Sequence, residues 1–527
     1  MTAGPDGPPW RRLDKRMLAV TPLSGAVRLL PVAVVVLLTG QGNAIGRLWV
    51  PLGIALALVL VGVVRWRTTQ YRITADRVEL HTGWLRRQRR SVPRDRIRTV
   101  DLTAKVVHRV FGLSVVHVSA ASGSSGDSSG LSLDAVSTAE ADRLRHELLD
   151  RSATTVVEHP VQPPAHERAP ASESMSQRLR EAPAERQRGR AIELARLRWS
   201  WLRFAPLTFS SIAGVGAIFA AVYNLFDDLG VDPRDVPAVD DAAHRLTTAP
   251  IWLGVLVVGV GLLVVAVVGA LLLFAERWYA YRLTREPATD DGTAEGGALR
   301  VRRGLLTRRS LSVSQVRLRG AEVVEPVLLR AGRGAQTRAL STGLSRDSQG
   351  GALQPPAPRA EAHRVASVAL REPPELATLA PLRRHPRAAL QRRLTRALAP
   401  AAAVVVIAFV IGPAVPVPWL GPASLVLLPV ALLLALDRYR SLGHQLTARY
   451  LVTRQGSVQR RTVALQRSGV IGWTFRQSVF QRRAGLVEVE AVTAAGAGGY
   501  PVLDVAAPDG VALADATTPG LLTPFRT

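Results

Sequence analysis

The chain has 527 residues, a net charge of +26 and no cysteine. The length calls for several domains, and the missing thiols exclude disulfides, thiolate nucleophiles, iron–sulfur clusters and zinc ribbons. The basic excess favours an anionic partner, nucleic acid or a membrane face, although Lys15 and Lys105 are the only lysines and the arginine-rich, alanine-rich composition reads first as GC-rich coding. Mean hydropathy is +0.14 with 20% charged residues, so apolar and polar residues are segregated into long blocks.

In chain order, a basic start (Arg11, Arg12, Lys15, Arg16) precedes two apolar runs, 27–46 and 48–64, each long enough to cross a hydrocarbon core of about 30 Å. No small-residue cleavage site follows the first, so the pair reads as a membrane hairpin, 27–64, rather than a signal peptide. The polar block 65–150 then alternates apolar and polar residues. "YRITADRVELHTGWLRRQRRSV" predicts two strands about a turn at Gly83, "IRTVDL" a third, and "LSVVHVSAASG" another after a turn at Gly112. Ser137 with Glu140 is a capping box that opens a closing amphipathic helix with Ala141, Leu144 and Leu148 on one face. The Pro/Ala/Arg-rich stretch 151–203 predicts a flexible linker, ending in a basic-aromatic helix over 191–204.

The pattern then recurs. Apolar runs at 204–226 and 251–275 form a second hairpin, 204–275, ahead of a polar block, 276–372. A linker, 373–396, leads to runs at 397–415 and 419–436, a third hairpin over 397–436, a polar block over 437–508 and a tail over 509–527, frayed apart from a weak helix. Arginines flank each pair on its outer sides: Arg65 and Arg67, Arg203 and Arg277, Arg396 and Arg438. The loops inside the pairs hold one arginine, an acidic stretch and "VPVP". By the positive-inside rule the polar blocks and both termini face the cytoplasm, in a multi-pass plasma-membrane protein.

The polar blocks are repeats. The first and third align without a gap at an offset of 373, with Thr74 on Thr447, Gly83 on Gly456, Arg109 on Arg482 and Gly112 on Gly485. The second enters at 210 (Thr74 on Thr284) and, after a Gly/Asp-rich insertion, continues at 221 (Gly83 on Gly304, Ser91 on Ser312). It is the most divergent copy.

A hairpin followed by "Y-x-[IL]-T", a Gly turn, a basic strand, "V-P-x-x-x-I" and "R-x-x-G-L" resembles the bacterial PH-domain family of membrane-flanked proteins. Tyr71, Thr74, Gly83, Val92, Pro93, Ile97, Arg109, Gly112 and Leu113 carry the match in the first unit. Thr447, Gly456, Arg482, Gly485 and Leu486 carry it in the third, where Gln466 replaces the proline. The middle unit has "LLRAGRG" in place of "R-x-x-G-L". The resemblance implies PH-like split β-barrels, three of them here, each closed by a helix. It implies no activity.

Chemistry is sparse. There is no Walker A loop and no HExxH, the ten histidines show no ligand spacing, and the serines of 121–130 have no base positioned beside them. The spans carry almost no internal acid or base, which argues against a pump. The reading is therefore a non-enzymatic membrane protein without cofactor or metal. Its PH-like domains meet membrane lipid, anionic lipid above all, or protein partners, including a paired membrane protein. Juxtamembrane arginines gain about 1 kcal/mol each near an anionic leaflet, which makes Arg86, Arg87, Arg89, Arg90, Arg308, Arg309, Arg460 and Arg461 the head-group candidates. An export or toxic-peptide-resistance factor, or a cryptic membrane enzyme, is the alternative. Nucleic acid is set aside, because the strands lack interleaved aromatic stacking positions.

Overall fold

Glycine at the second turn of each repeat sets the local geometry. Gly83, Gly304 and Gly456 all have positive φ (102°, 110° and 96°), a region open to glycine at no steric cost. At Gly304 and Gly456 a Cβ would lie 2.0 and 2.1 Å from a backbone oxygen, so no side chain fits. Thr74 and Thr447 close the preceding turns in one way: each hydroxyl accepts from the backbone N–H three residues on and donates to that residue's carbonyl.

The structure is a computed structural model. It describes most of residues 10–20 and 53–120, then 130–149, 191–208, 250–287, 297–342, 351–412 and 419–525, with short gaps that include 84–87 and 95–96. The chain divides into two compact units, Met1–Val316 and Arg317–Thr527. The boundary falls inside the middle sequence repeat.

In the first unit, β1 (Arg11–Arg12), β2 (Gln70–Ile73), β3 (Arg77–Thr82) and β4 (Gln88–Pro93) form one antiparallel sheet in that order. β5 (Ile97–Ala104), α1 (Val106–Val110), β6 (Leu113–Ala120), β7 (Gly130–Ser137) and α2 (Thr138–Leu149) follow. Both sheets and α2 bury a common core that includes Tyr71, Val78, Ile97, Val100, Leu113, Leu133 and Leu144. Each such fully buried aliphatic contributes about 1.5–3 kcal/mol. The basic start belongs to this core as well: Leu13 and Met17 are buried in it, and Trp66 Nε1 donates to the Leu13 carbonyl at 2.9 Å. Ser137 Oγ accepts from the Glu140 N–H at 3.3 Å, as the capping motif predicts.

The sheet of β5, β6 and β7 does not end at β5. Its order is β7-β6-β5-β11-β10-β9-β8, where β9 (Arg282–Glu286), β10 (Ala298–Arg303) and β11 (Arg308–Ser314) are the first strands of the second repeat. β8 is Ile192–Arg196. Here the structure corrects the helix expected over 191–204: the first half is a strand on the β9 edge, and only Trp199–Phe204 is helical, as a 3-10 turn. Backbone pairing along an open edge outweighs local helix propensity. α3 (Ile251–Trp278) is a 28-residue apolar helix just before β9.

The second unit repeats the construction. β12 (Leu318–Pro326), α4 (Val327–Ala331), β13 (Gly334–Ser341) and the short β14 (Ala357–Pro358) precede α5 (Arg359–Leu370). α6 (Arg387–Ile411), α7 (Leu420–Ser424) and α8 (Leu427–Arg440) are apolar; β15 (Gly443–Leu446), β16 (Tyr450–Gln455) and β17 (Gln459–Gln466) come next. The sheet order is β14-β13-β12-β17-β16-β15. β18 (Val470–Arg476), α9 (Val479–Arg483), β19 (Leu486–Thr493), β20 (Gly499–Ala506) and α10 (Ala507–Thr517) end the chain's elements, with β18, β19 and β20 in a separate sheet. Residues 507–517, read from sequence as the end of a domain and a tail with at most a weak helix, form a helix, and Leu513 and Ala514 are buried in the core of this unit.

Among the described residues, three helical segments are long and apolar enough to cross a membrane: 252–278, 387–411 and 420–440. Their apolar residues, such as Leu263, Leu272, Val410 and Leu433, are exposed, as lipid-facing residues would be. Of the six expected spans, the first and third fall largely outside the described residues, as does most of the second.

The middle repeat keeps the strand–short helix–strand order that "LLRAGRG" put in question. In the outer repeats Gly112 and Gly485 take φ of 69° and 63°; Arg333 stands at the corresponding place with φ 58°. A side chain with a Cβ costs about 1–2 kcal/mol in that conformation. Arg333→Gly is therefore expected to raise the melting temperature slightly, by about 0.5–1 kcal/mol of stability after glycine's entropy cost. Gly485→Ala is expected to lower it by about 1 kcal/mol or slightly more, with no atom within 4 Å of the added Cβ to complicate the reading. Thermal melts of the purified variants check both signs.

Candidate functional site: the arginine strands and the charged joints

Six of the eight candidate arginines fall on the third strand of a repeat, and the structure gives them different surroundings. Arg86 and Arg87 lie outside the described residues. Arg89 and Arg90 are exposed on β4, the last strand of its sheet. Arg308 and Arg309 are exposed on β11, where Arg309 lowers the pKa of Asp101 while burial, the larger effect, raises it. Arg460 is largely buried and grips Glu325 of β12 with two hydrogen bonds, at 2.8 and 3.0 Å. Glu325 is itself 1% exposed, and Arg359 joins it at 3.2 Å. Arg461 reaches Glu322 at 3.6 Å and donates to Gln459. Arg460 and Arg461 are thus engaged by strand partners, and Arg89, Arg90 and Arg308 are exposed on their strands. The structure also sharpens the alignment. At the repeat offsets Arg87 corresponds to Arg308 and Arg460, and Gln88 to Arg309 and Arg461.

The two strand joints are equivalent. In the first unit β5 of one repeat pairs with β11 of the next, Thr99 opposite Val313 through Ala104 opposite Arg308. In the second, β12 pairs with β17, Gly320 opposite Leu465 through Pro326 opposite Gln459. Thr99 and Gly320 are one repeat position, 221 apart, and Val313 and Leu465 both correspond to Val92. The register is therefore identical.

Buried charge reinforces the first joint. Arg145 of α2 is 1% exposed; it pairs with Glu286 of β9 and lies 3.3 Å from Ser312 Oγ. Arg300 of β10 reaches Glu286 at 3.1 Å, Asp142 of α2 at 2.9 Å and Ser310 at 2.8 Å. Burial pushes the Glu286 carboxyl up, but Arg145 and Arg300 outweigh it, and the net direction is down. Nothing in the spacing of Asp142, Arg145, Glu286 and Arg300 along the chain marks this cluster; only the fold brings them together.

A second cluster, also missed from sequence, lies where α6 and α8 meet the last sheet. Asp504 is wholly buried with φ 55°. It accepts from Arg392 and Arg393 of α6 and from Gln481 Nε2 at 2.9 Å. His385 and His444 are stacked edge to face with ring nitrogens 3.1 Å apart. One tautomer set satisfies both rings: His385 Nδ1–H donates to the Asp504 carbonyl at 3.3 Å, and His444 Nδ1–H donates to the bare His385 Nε2. Tyr439 Oη donates to the His385 carbonyl at 2.9 Å. Burial pushes both imidazoles down, His444 to about 4. This arrangement welds the helix ends to the sheet. It presents no nucleophile beside a base. Among the described residues no group of three or more His, Cys, Asp or Glu side chains is placed to hold a metal ion.

Apolar helices of spanning length and small antiparallel sheets fit the class to which sequence likeness assigns the chain, that of transmembrane proteins carrying bacterial PH domains. The model of the bacterial PH domain family matches residues 22–152 and 398–516, the first and third repeats with their hairpins. Among individual proteins, the chain is similar to the UPF0699 transmembrane protein YdbT of Bacillus subtilis (strain 168), with 23% identity over 439 residues, 82% of this chain and 81% of that one. No solved structure matches it.

Proposed function

We propose that the chain is a non-enzymatic, multi-pass plasma-membrane protein with six spans and both termini in the cytoplasm. Three PH-like modules, each closed by a helix, face the inner leaflet and dock on anionic lipid or on proteins there. One observation carries the lipid reading: Arg89, Arg90 and Arg308 are exposed at the third strand of modules that follow membrane hairpins, while the buried charges support the fold. Full-length protein in neutral nanodiscs is expected to capture phosphatidylglycerol vesicles. Arg89→Ala/Arg90→Ala/Arg308→Ala is expected to weaken capture at least tenfold, since each arginine contributes about 1 kcal/mol. Equal capture of neutral vesicles, or no loss in the triple variant, contradicts the lipid reading.

A further inference from the structure

Every joint in this chain has a donor edge and an acceptor edge. The donor is the first strand of a repeat's second sheet (β5, β12, β18), and the acceptor is the third strand of a repeat's first sheet (β4, β11, β17). β5 takes β11 and β12 takes β17. Among the described residues, β4 and β18 are left at the ends of their sheets. We infer that β18 of one copy pairs antiparallel with β4 of a second copy, in the register of the internal joints, so that the protein self-associates head to tail. This goes beyond the proposed function and does not depend on lipid binding.

The register follows from the repeat. Gly472 corresponds to Thr99 and Gly320, and all three directly follow a register shift in the pairing of their own sheet. Gly472 therefore faces Val92, Trp473 faces Ser91, Thr474 faces Arg90, Phe475 faces Arg89, and Arg476 faces Gln88.

Three observations favour this pairing. First, β18 lacks its cover. Phe475 stands where Leu102 and Val323 are 8% and 0% exposed in the closed joints, yet it is 40% exposed, and Ile471, near the start of the same strand, is 64% exposed. An apolar edge strand of this kind is a template for another strand. Second, the charges are complementary by omission. The acceptor strands β11 and β17 carry Arg309 and Arg461 opposite Thr103 and Val324. The donor β18 carries Arg476 at that position, and there β4 alone has a glutamine, Gln88. Two arginines directly opposite would repel; this pair does not. Third, Arg89 is placed to lie over Phe475, a favourable cation–π arrangement. The corresponding acceptor positions hold Ser310 and Thr462. The open strands thus differ from the joined ones at the positions where they would meet. An arginine pair that served only to keep β4 unpaired would not call for the change at Gln88.

The absence of cysteine makes the test direct. Two tagged versions of the full chain, one with Thr474→Cys and one with Arg90→Cys, are co-expressed and their membranes oxidised. Directly opposed Cα atoms lie about 4.5–5.5 Å apart, within disulfide range. A disulfide joining the two tags is expected, at least tenfold above a control pair of Thr474→Cys with Glu79→Cys, which sits one strand further in. Thr103→Cys/Arg309→Cys within one chain reports that oxidation works at a known joint. Phe475→Glu in the Thr474→Cys version is expected to cut the mixed disulfide at least fivefold. If the internal disulfide forms and the mixed one stays at control level, or if Thr474→Cys links only to a different protein, the inference is overturned.

Discussion

Asp504→Asn is expected to destabilise the second unit by about 3–5 kcal/mol, the usual cost of stripping one partner from a buried ion pair. Asparagine keeps the shape and tolerates the left-handed backbone, so the variant isolates the charge. Arg393 is 4% exposed and Arg392 is only slightly more open, and both guanidiniums lose their counter-ion together. The loss should shrink in a compensated background: Arg392→Met/Arg393→Leu with Asp504→Asn removes all three charges and is expected to recover most of it, because apolar replacements of a buried ion cluster are often neutral. Thermal melts and limited proteolysis of the detergent-solubilised protein read both. A melt unchanged by Asp504→Asn alone would show that the helix ends are not held through this carboxylate.

Acidification is the second large effect. His363 is 4% exposed with Nδ1 2.8 Å from Thr378 Oγ1. Burial, then the nearby Arg359, pushes it down to about 4, with Glu325 opposing. His444 is pushed to about 4 by burial, then by His385 and Arg383, with Asp509 opposing. The unfolded chain protonates these rings near pH 6.5, so between pH 6.5 and 4 it binds more protons than the folded chain. Stability then falls with falling pH across that window, and the loss from these two groups levels off below about 4. Together they are expected to remove a few kcal/mol. Denaturant midpoints at pH 7.5, 5.5 and 4.5 should decline in that order, and His363→Asn should flatten the decline. A flat or rising profile in the parent protein would contradict the assignment.

Much of the architecture was legible along the chain. The offset of 373 places Gly83 and Gly456, Gly112 and Gly485, and Thr74 and Thr447 at turns of the same geometry, because a turn is set by the residues within it. Ser137 capped its helix for the same reason. The joints were not legible. Which edge β5 meets is decided by a strand 200 residues away, and Arg145, Glu286 and Arg300 look like ordinary surface charges until that pairing buries them. The strand at Ile192–Arg196 was hidden in the same way, its partner edge being supplied by β9. The candidate arginines were read as one repeated site. The neighbouring strand engages Arg460 with Glu325, and Arg89 and Arg90 are exposed on a strand at the end of its sheet.

The staggered joints also bear on how such a chain can change over generations. In the middle repeat the first sheet is held by β5 of the repeat before it and the second sheet by β17 of the repeat after it. A segment scaffolded on both sides has less need to specify its own fold. It can accept an insertion after β9, exchange a turn glycine for Arg333, and drift until the family pattern covers only its neighbours. Deleting it would strand two sheet edges at once, so the repeat most tolerant of substitution is the one the chain can least afford to lose.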